Sequence, residues 1–179
     1  VLRFVTPAEV RGVALLVVNH PERSSDQWMW VPEIGRERRI AMQDRSTRFF
    51  GTDFTFEDLE ERDVEQFEYK LLGEESLGGV SCWKLESKPK KSSQYTHSYV
   101  WVRKPDYALA RVESFKQSQA IRQLQYEDIR VVNNIPTPHK LEMFDVGRKS
   151  RTILSMDKLT YNVALNEDDF TLQALRRGQ

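Results

Sequence analysis

Apolar and polar residues alternate along much of this chain with a period of two. In Phe67-Glu-Tyr-Lys-Leu71 the faces separate cleanly, with Phe67, Tyr69 and Leu71 opposite Glu68 and Lys70. That period is the signature of a half-buried strand. Strand-like runs occupy Val1–Val5, Gly12–Asn19, Gln27–Val31, Arg36–Ile40, Phe67–Leu72, Val80–Ser87, Tyr95–Arg103, Leu109–Lys116, Ile121–Val132, His139–Val146 and Thr152–Tyr161. Turn formers separate them: His20 to Asp26, Gly73 to Gly79, Lys88 to Ser93, Lys104-Pro-Asp106, Asn133 to Pro138 and Gly147 to Ser150. Glycine supplies positive φ there, proline a fixed φ, and Asn and Asp local side-chain bonds. Strands joined by short turns predict an antiparallel meander. The helical stretches that parallel crossovers need are missing.

Three runs break the alternation. Val13–Val18, Trp28-Met-Trp-Val31 and Tyr99-Val-Trp-Val102 are apolar on both faces. Such strands are covered on both faces. Together with one-sided strands they fit a curved sheet that holds something against its concave face: its own helix, a ligand or a partner. A closed barrel or sandwich with an ordinary core fits them too. One helix is expected from Thr55 to near Val64, with Thr55-Phe-Glu-Asp58 as a loose capping box and Phe54 and Leu59 as staple. A second helical turn is expected over Asp168–Arg176, capped by Asp168 or Asp169.

The 179 residues suit one domain, without repeats or a linker. Lys and Arg number 27, and so do Asp and Glu. A chain-wide grip on nucleic acid needs a large excess of one sign, so no nucleic-acid partner is expected. The longest apolar run, Val13–Val18, is far short of the roughly 20 residues of a spanning helix, so no transmembrane segment is expected. Cys82 is the single cysteine and reads as a small core residue. His20, His97 and His139 are isolated from one another and from Cys82, so neither a metal nor a cofactor is expected. Gly79-Val-Ser-Cys-Trp83 lacks the second glycine and the strand–turn–helix context of a nucleophile elbow. Nothing argues for an enzyme. Arg36, Arg38 and Arg39, followed by Arg45 and Arg48, make the one local excess of charge. They read as a solvated hairpin edge or as a docking patch.

An ordered series of motifs adds to this. Leu2-Arg-Phe-Val-Thr-Pro-Ala-Glu-Val-Arg-Gly12 is followed by Asp26-Gln-Trp-Met-Trp-Val-Pro32, Arg38-Arg-Ile40, Asp44-Arg-Ser46 and Phe50-Gly-Thr-Asp-Phe-Thr-Phe-Glu-Asp-Leu59. It extends through Gly79–Glu86, Tyr99–Pro105 and Asp168-Asp-Phe170. The series resembles the bacterial outer-membrane lipoprotein-sorting (LolA-like) family, and more closely the branch encoded beside efflux-type transporters. The resemblance implies one all-β domain over 1–179 with minor helix. Its antiparallel sheet would form an incomplete, half-open β-barrel with short helices over the concave apolar face. Family members carry a signal peptide, an N-terminal helix and an early strand ahead of the first motif. The implied function is a periplasmic, non-enzymatic carrier of lipoprotein or other lipid acyl chains towards the outer membrane, with an inner-membrane transporter as a further implied partner. The alternative is a module that docks on such a transporter without carrying lipid. Trp28, Trp30, Phe54, Phe56, Tyr99 and Trp101 are the candidates for lining or closing the cavity. Ordinary core packing is the competing reading for each ring.

Overall fold

Eleven strands follow one another in a computed structural model that describes residues 1–177. The first four, β1 (Leu2–Arg3), β2 (Ala14–Val18), β3 (Asp26–Val31) and β4 (Arg36–Arg39), form a small sheet in chain order. The other seven form a large sheet, also in chain order: β5 (Phe67–Leu77), β6 (Val80–Pro89), β7 (His97–Arg103), β8 (Leu109–Lys116), β9 (Gln119–Val132), β10 (Ile135–Asp145) and β11 (Ser150–Ser155). Every neighbouring pair is antiparallel. Both sheets keep free edges, so the expected meander is present and a closed barrel is not.

Two turn clusters turn out to belong to strands. The stretch Gly73–Leu77 continues β5 past a bulge between Leu71 and Gly73, where Gly73 adopts φ +149°. The chain reverses at Gly78-Gly79, both at positive φ. Likewise only Asn133 and Asn134 turn, both left-handed, as a two-residue hairpin loop requires. Pro136 and Pro138 lie within β10. They are tolerated because β11 pairs only from Lys140 onward, which leaves that part of β10 an edge.

The two helices expected from sequence are both shorter in the structure. The capping box does form: Asp58 accepts from the Thr55 backbone N–H at 2.8 Å, and the Asp58 N–H points to Thr55 Oγ1 at 3.4 Å. Only a 3-10 turn, Glu57–Leu59, follows, and Glu60 is extended. The physical reason lies in Glu60-Glu61-Arg62-Asp63, whose side chains have partners on different elements. Glu60 meets Arg45 and Gln27, Glu61 meets Asn19, and Arg62 meets Ser87. Asp63 caps the next 3-10 turn, Val64–Gln66. The one α-helix of the described residues, α1 (Leu172–Arg176), is capped by Thr171, and the preceding turn by Asn166, rather than by Asp168 or Asp169.

These segments cover the small sheet on both sides. On one side Leu15 packs with Ile40, Phe49 and Phe56, flanked by Phe4, Val17, Met29 and Leu59. On the other, Leu175 of α1 is fully buried against Ala14 and Leu16, beside Trp28 and Trp30. A helix of five residues is not stable alone. Burial of Leu175 contributes about 1.5–3 kcal/mol. Arg3 adds bonds to the carbonyls of Ala174 and Leu175, each 2.9 Å, and Arg176 forks onto Glu37. The two-sided apolar strands β2 and β3 are thus covered by the protein's own chain.

Candidate functional site

Register assigns the inner face of the large sheet two neighbouring rows. Leu85, Val100, Val112, Leu124 and Met143 pair across β6 to β10 as an apolar row. Two residues along each strand, Ser87, Ser98, Ser114, Arg122, Asp145 and Ser150 form a polar row on the same face.

The segment 45–67 crosses this face as an irregular strap. Its aromatic side, Phe49 and Phe56, belongs to the small-sheet core, while its polar side meets the large sheet. At one end buried Asp53 pairs with Arg48 at 2.7 Å and accepts from Ser150 Oγ at 2.5 Å and Thr152 Oγ1 at 2.9 Å. In the middle Asp58 accepts from Tyr95 OH at 2.6 Å and lies 3.7 Å from Arg122, which also holds Asp145 at 2.8 Å. At the other end Arg62 donates to Ser87 Oγ at 2.9 Å. The expected short helices over the concave face are therefore two 3-10 turns in a strap, and α1 lies on the small sheet.

Between strap and sheet remains a recess of about 190 Å³. Its floor includes Val112, Leu124 and Met143, with Phe67 and Tyr126 beside them. Its rim carries Arg45, Glu57, Glu60, Arg62, Lys91 and Arg122. A second recess of about 240 Å³, lined in part by Asn19, His20 and Ser25, shares Glu60, Glu61 and Gln66 with the first. Dry surroundings shift the groups of the first recess. Burial pushes the Tyr95 phenol up, and the nearby Asp58 carboxylate pushes it further. Burial also raises Glu57, against hydrogen bonds from Ser93 Oγ and the Gln94 N–H. Burial works against charge on Arg122, yet Asp145, Tyr95 and Asp58 hold it firmly protonated. Among the described residues no group of His, Cys, Asp or Glu is arranged to hold a metal ion.

None of the six candidate rings lines this recess. Trp28 and Trp30 lie on the small-sheet face that α1 covers. Phe56 sits in the opposite small-sheet core, and Phe54 is buried in the strap. Tyr99 and Trp101 alternate with Val100, so they lie on the outer face of the large sheet. There Lys84 sits 5.1 Å and 5.0 Å over their rings, and Trp101 Nε1 donates to Glu75 at 2.8 Å. On β4, Arg36 and Arg38 are exposed, with Arg38 reaching Asp44 at 3.4 Å. Arg39 is drawn instead to Asp26 at 2.5 Å and over Trp28. Sequence reasoning missed Asp58, Arg62, Tyr95 and Arg122 as site residues. Only Arg122 lies on a strand, where it stands at a spacing of two from the apolar Leu124 on one face; Asp58, Arg62 and Tyr95 lie in irregular chain and carry no such signal.

The geometry defines a class: an open, curved antiparallel sheet, its inner face crossed by the chain's own strap above an amphipathic recess. A family model described as an uncharacterized protein matches residues 1–177. No curated protein matches the chain. A domain described as an outer membrane lipoprotein-sorting protein, from Vibrio parahaemolyticus, is 28% identical with a TM-score of 0.94, over 98% of this chain and 76% of its own. A DUF1329 family protein from Desulfovibrio piger is 29% identical with a TM-score of 0.92, over 97% and 75%. A LolA superfamily protein from Nitrosomonas europaea shares the fold, at 19% identity and a TM-score of 0.73 over 94% and 74%. The chain belongs to the family of the model that matches residues 1–177, and its fold is LolA-like.

Proposed function

We propose that the protein is a periplasmic, non-enzymatic carrier that shelters the acyl chains of a lipoprotein or another lipid on the inner face of its large sheet. The observation that carries this reading is the apolar row Leu85–Met143, covered by a strap that grips the sheet through polar contacts. Burying a methylene is worth about 0.8 kcal/mol. At the roughly 30 Å³ of a water-sized group, the recess takes about six methylenes, or about 5 kcal/mol. A longer chain needs the strap to leave the apolar row. The lipoprotein-sorting description of the Vibrio neighbour supports the same reading.

Native mass spectrometry of gently purified protein, with titration of a fluorescent acyl probe, tests the proposal. Co-purified lipid or saturable probe binding is expected. Absence of both, in the protein and in a variant whose strap is released, overturns it.

The exposure of Arg36 and Arg38 on an edge strand favours a second role, docking on an inner-membrane transporter. Charge reversal at both positions should then abolish capture by that transporter and leave probe binding intact.

A further inference from the structure

Among the described residues two cations on the rim of the recess, Arg62 and Lys91, have no carboxylate partner. Arg45 is paired with Glu60 at 2.7 Å, and Arg122 with Asp145 at 2.8 Å. Among the described residues Arg62 has no carboxylate within 4.0 Å. Its guanidinium gives one bond to Ser87 Oγ, and its carbon sits over Phe67, 4.4 Å from the ring centroid. A guanidinium has five N–H donors, so most of this fork is uncommitted. Lys91, also on the rim, makes only a 3.4 Å contact to the Pro21 carbonyl. The other charges on the rim cannot serve Arg62 in place of a ligand. Glu60 is taken by Arg45 and Gln27, and Glu57 by Ser93 and Gln94. Glu61 bonds Asn19 on the far side of the strap.

From Arg62 the floor leads directly onto apolar surface, with Phe67, Leu124 and Met143 lining the same recess. A free planar cation at one end of a greasy floor matches an amphiphile whose head is a carboxylate or phosphate. Arginine is the residue best suited to take such a head through two parallel hydrogen bonds. We propose that the recess selects acyl ligands with an anionic head, which Arg62 clamps while the chain lies over Val112, Leu124 and Met143. Ser87 and Phe67 hold the guanidinium in place. The inference rests on the carrier reading and adds the class of ligand to it.

The test is calorimetric titration of the whole chain with three ten-carbon probes that differ only in the head: decanoate, decanol and decyltrimethylammonium. Inorganic phosphate and acetate serve as heads without chains. Decanoate is expected to bind at least tenfold more tightly than decanol, about 1.4 kcal/mol. The ammonium probe should bind more weakly than decanol, and phosphate or acetate alone not measurably at millimolar concentration. Arg62→Met keeps the apolar stem and should remove the preference, so that decanoate binds this variant no more tightly than decanol does. Arg62→Lys should restore part of the preference. Equal binding of the three probes by the unaltered protein overturns the proposal while the carrier reading stands. So does an undiminished preference in Arg62→Met. Phosphate alone binding as tightly as decanoate also overturns it, since the chain then contributes nothing. If no probe binds, this proposal falls; the carrier reading falls with it only if a variant with the strap released binds none of them either.

Discussion

Replacing Asp58 by alanine should free the strap without unfolding the sheets. Asp58 accepts hydrogen bonds from the Thr55 N–H at 2.8 Å, Thr55 Oγ1 at 2.7 Å and Tyr95 OH at 2.6 Å. It also faces Arg122 across 3.7 Å. Bonds to a charged acceptor contribute about 1.5–3 kcal/mol each and do not add. Breaking a buried ion pair costs about 3–5 kcal/mol. Arg122 keeps Asp145, so the lower end applies, about 3 kcal/mol. A domain holds about 5–15 kcal/mol in total, so the sheets should survive the loss. Two of the weakened contacts lie within the strap, and the other two join it to Tyr95, just ahead of β7, and to Arg122 of β9, so the strap should open as a local unit. Peptide-resolved hydrogen exchange reads this directly. At a tenfold change per 1.4 kcal/mol, amides in 55–67 should exchange about 100-fold faster, and those of β6 to β10 at unchanged rates. Tyr95→Phe removes one bond of the set and should give about a tenfold effect, near 1.5 kcal/mol. The opened variant should take up a long acyl probe more tightly. Equal loss of protection in strap and sheet would refute the reasoning, because the strap would then be part of the global fold. Unchanged protection of the strap would refute it as well.

Leu175→Ala should cost about 3–4 kcal/mol in urea unfolding, since the side chain is fully buried, and shift the emission of Trp28 and Trp30 to the red as α1 loosens. Glu57→Gln should change the pH profile of stability. Burial raises this carboxyl above 4.5 in the folded state, so wild-type stability falls as pH rises through that value. The variant should therefore melt higher than wild type at pH 7 and not at pH 4; a gain at both would point to packing instead. The double variant Trp28→Ala, Trp101→Ala should lose stability and keep its probe affinity within twofold, because both rings lie outside the recess. Weaker binding would return these rings to the site.

What the chain's pattern disclosed depended on the range of the interaction. Strand positions were legible because alternation is local, and so was the hairpin order. Strand ends were less so. The polar stretch Gly73–Leu77 looks like a loop, yet the bulge at Leu71/Gly73 lets it pair with β6. Both-sided apolarity in β2 and β3 announced cover on two faces, but not its source. That cover comes from Phe49 and Phe56 on one side and Leu175 on the other, about 160 residues away in sequence from Ala14. The strap was hidden for a different reason. Its capping box is real, but helix propensity over Glu60–Asp63 yields to partners on both sheets. Arg122 and Ser87 looked like ordinary solvent-facing strand positions. Only the register shows that they share a face with Leu124 and Leu85.

The asymmetry of the strap bears on how cargo could enter and leave. Its aromatic side stays with the small sheet, where Phe49 and Phe56 bury apolar surface that water would penalise. Its polar side lies on the row from Ser87 to Ser150. Each hydrogen bond there has a charged partner, and exchanging it for one to water costs about 1.5–3 kcal/mol. Separation along the polar seam is the movement that uncovers the apolar row. A further unfavourable part is the exposure of Leu85, Val100, Val112, Leu124 and Met143 that follows. An acyl chain removes that part by covering the same row. On the proposed carrier reading the cargo supplies the contact that the open state lacks, so binding and opening should be linked: a ligand that covers more of the row should shift the strap further towards release.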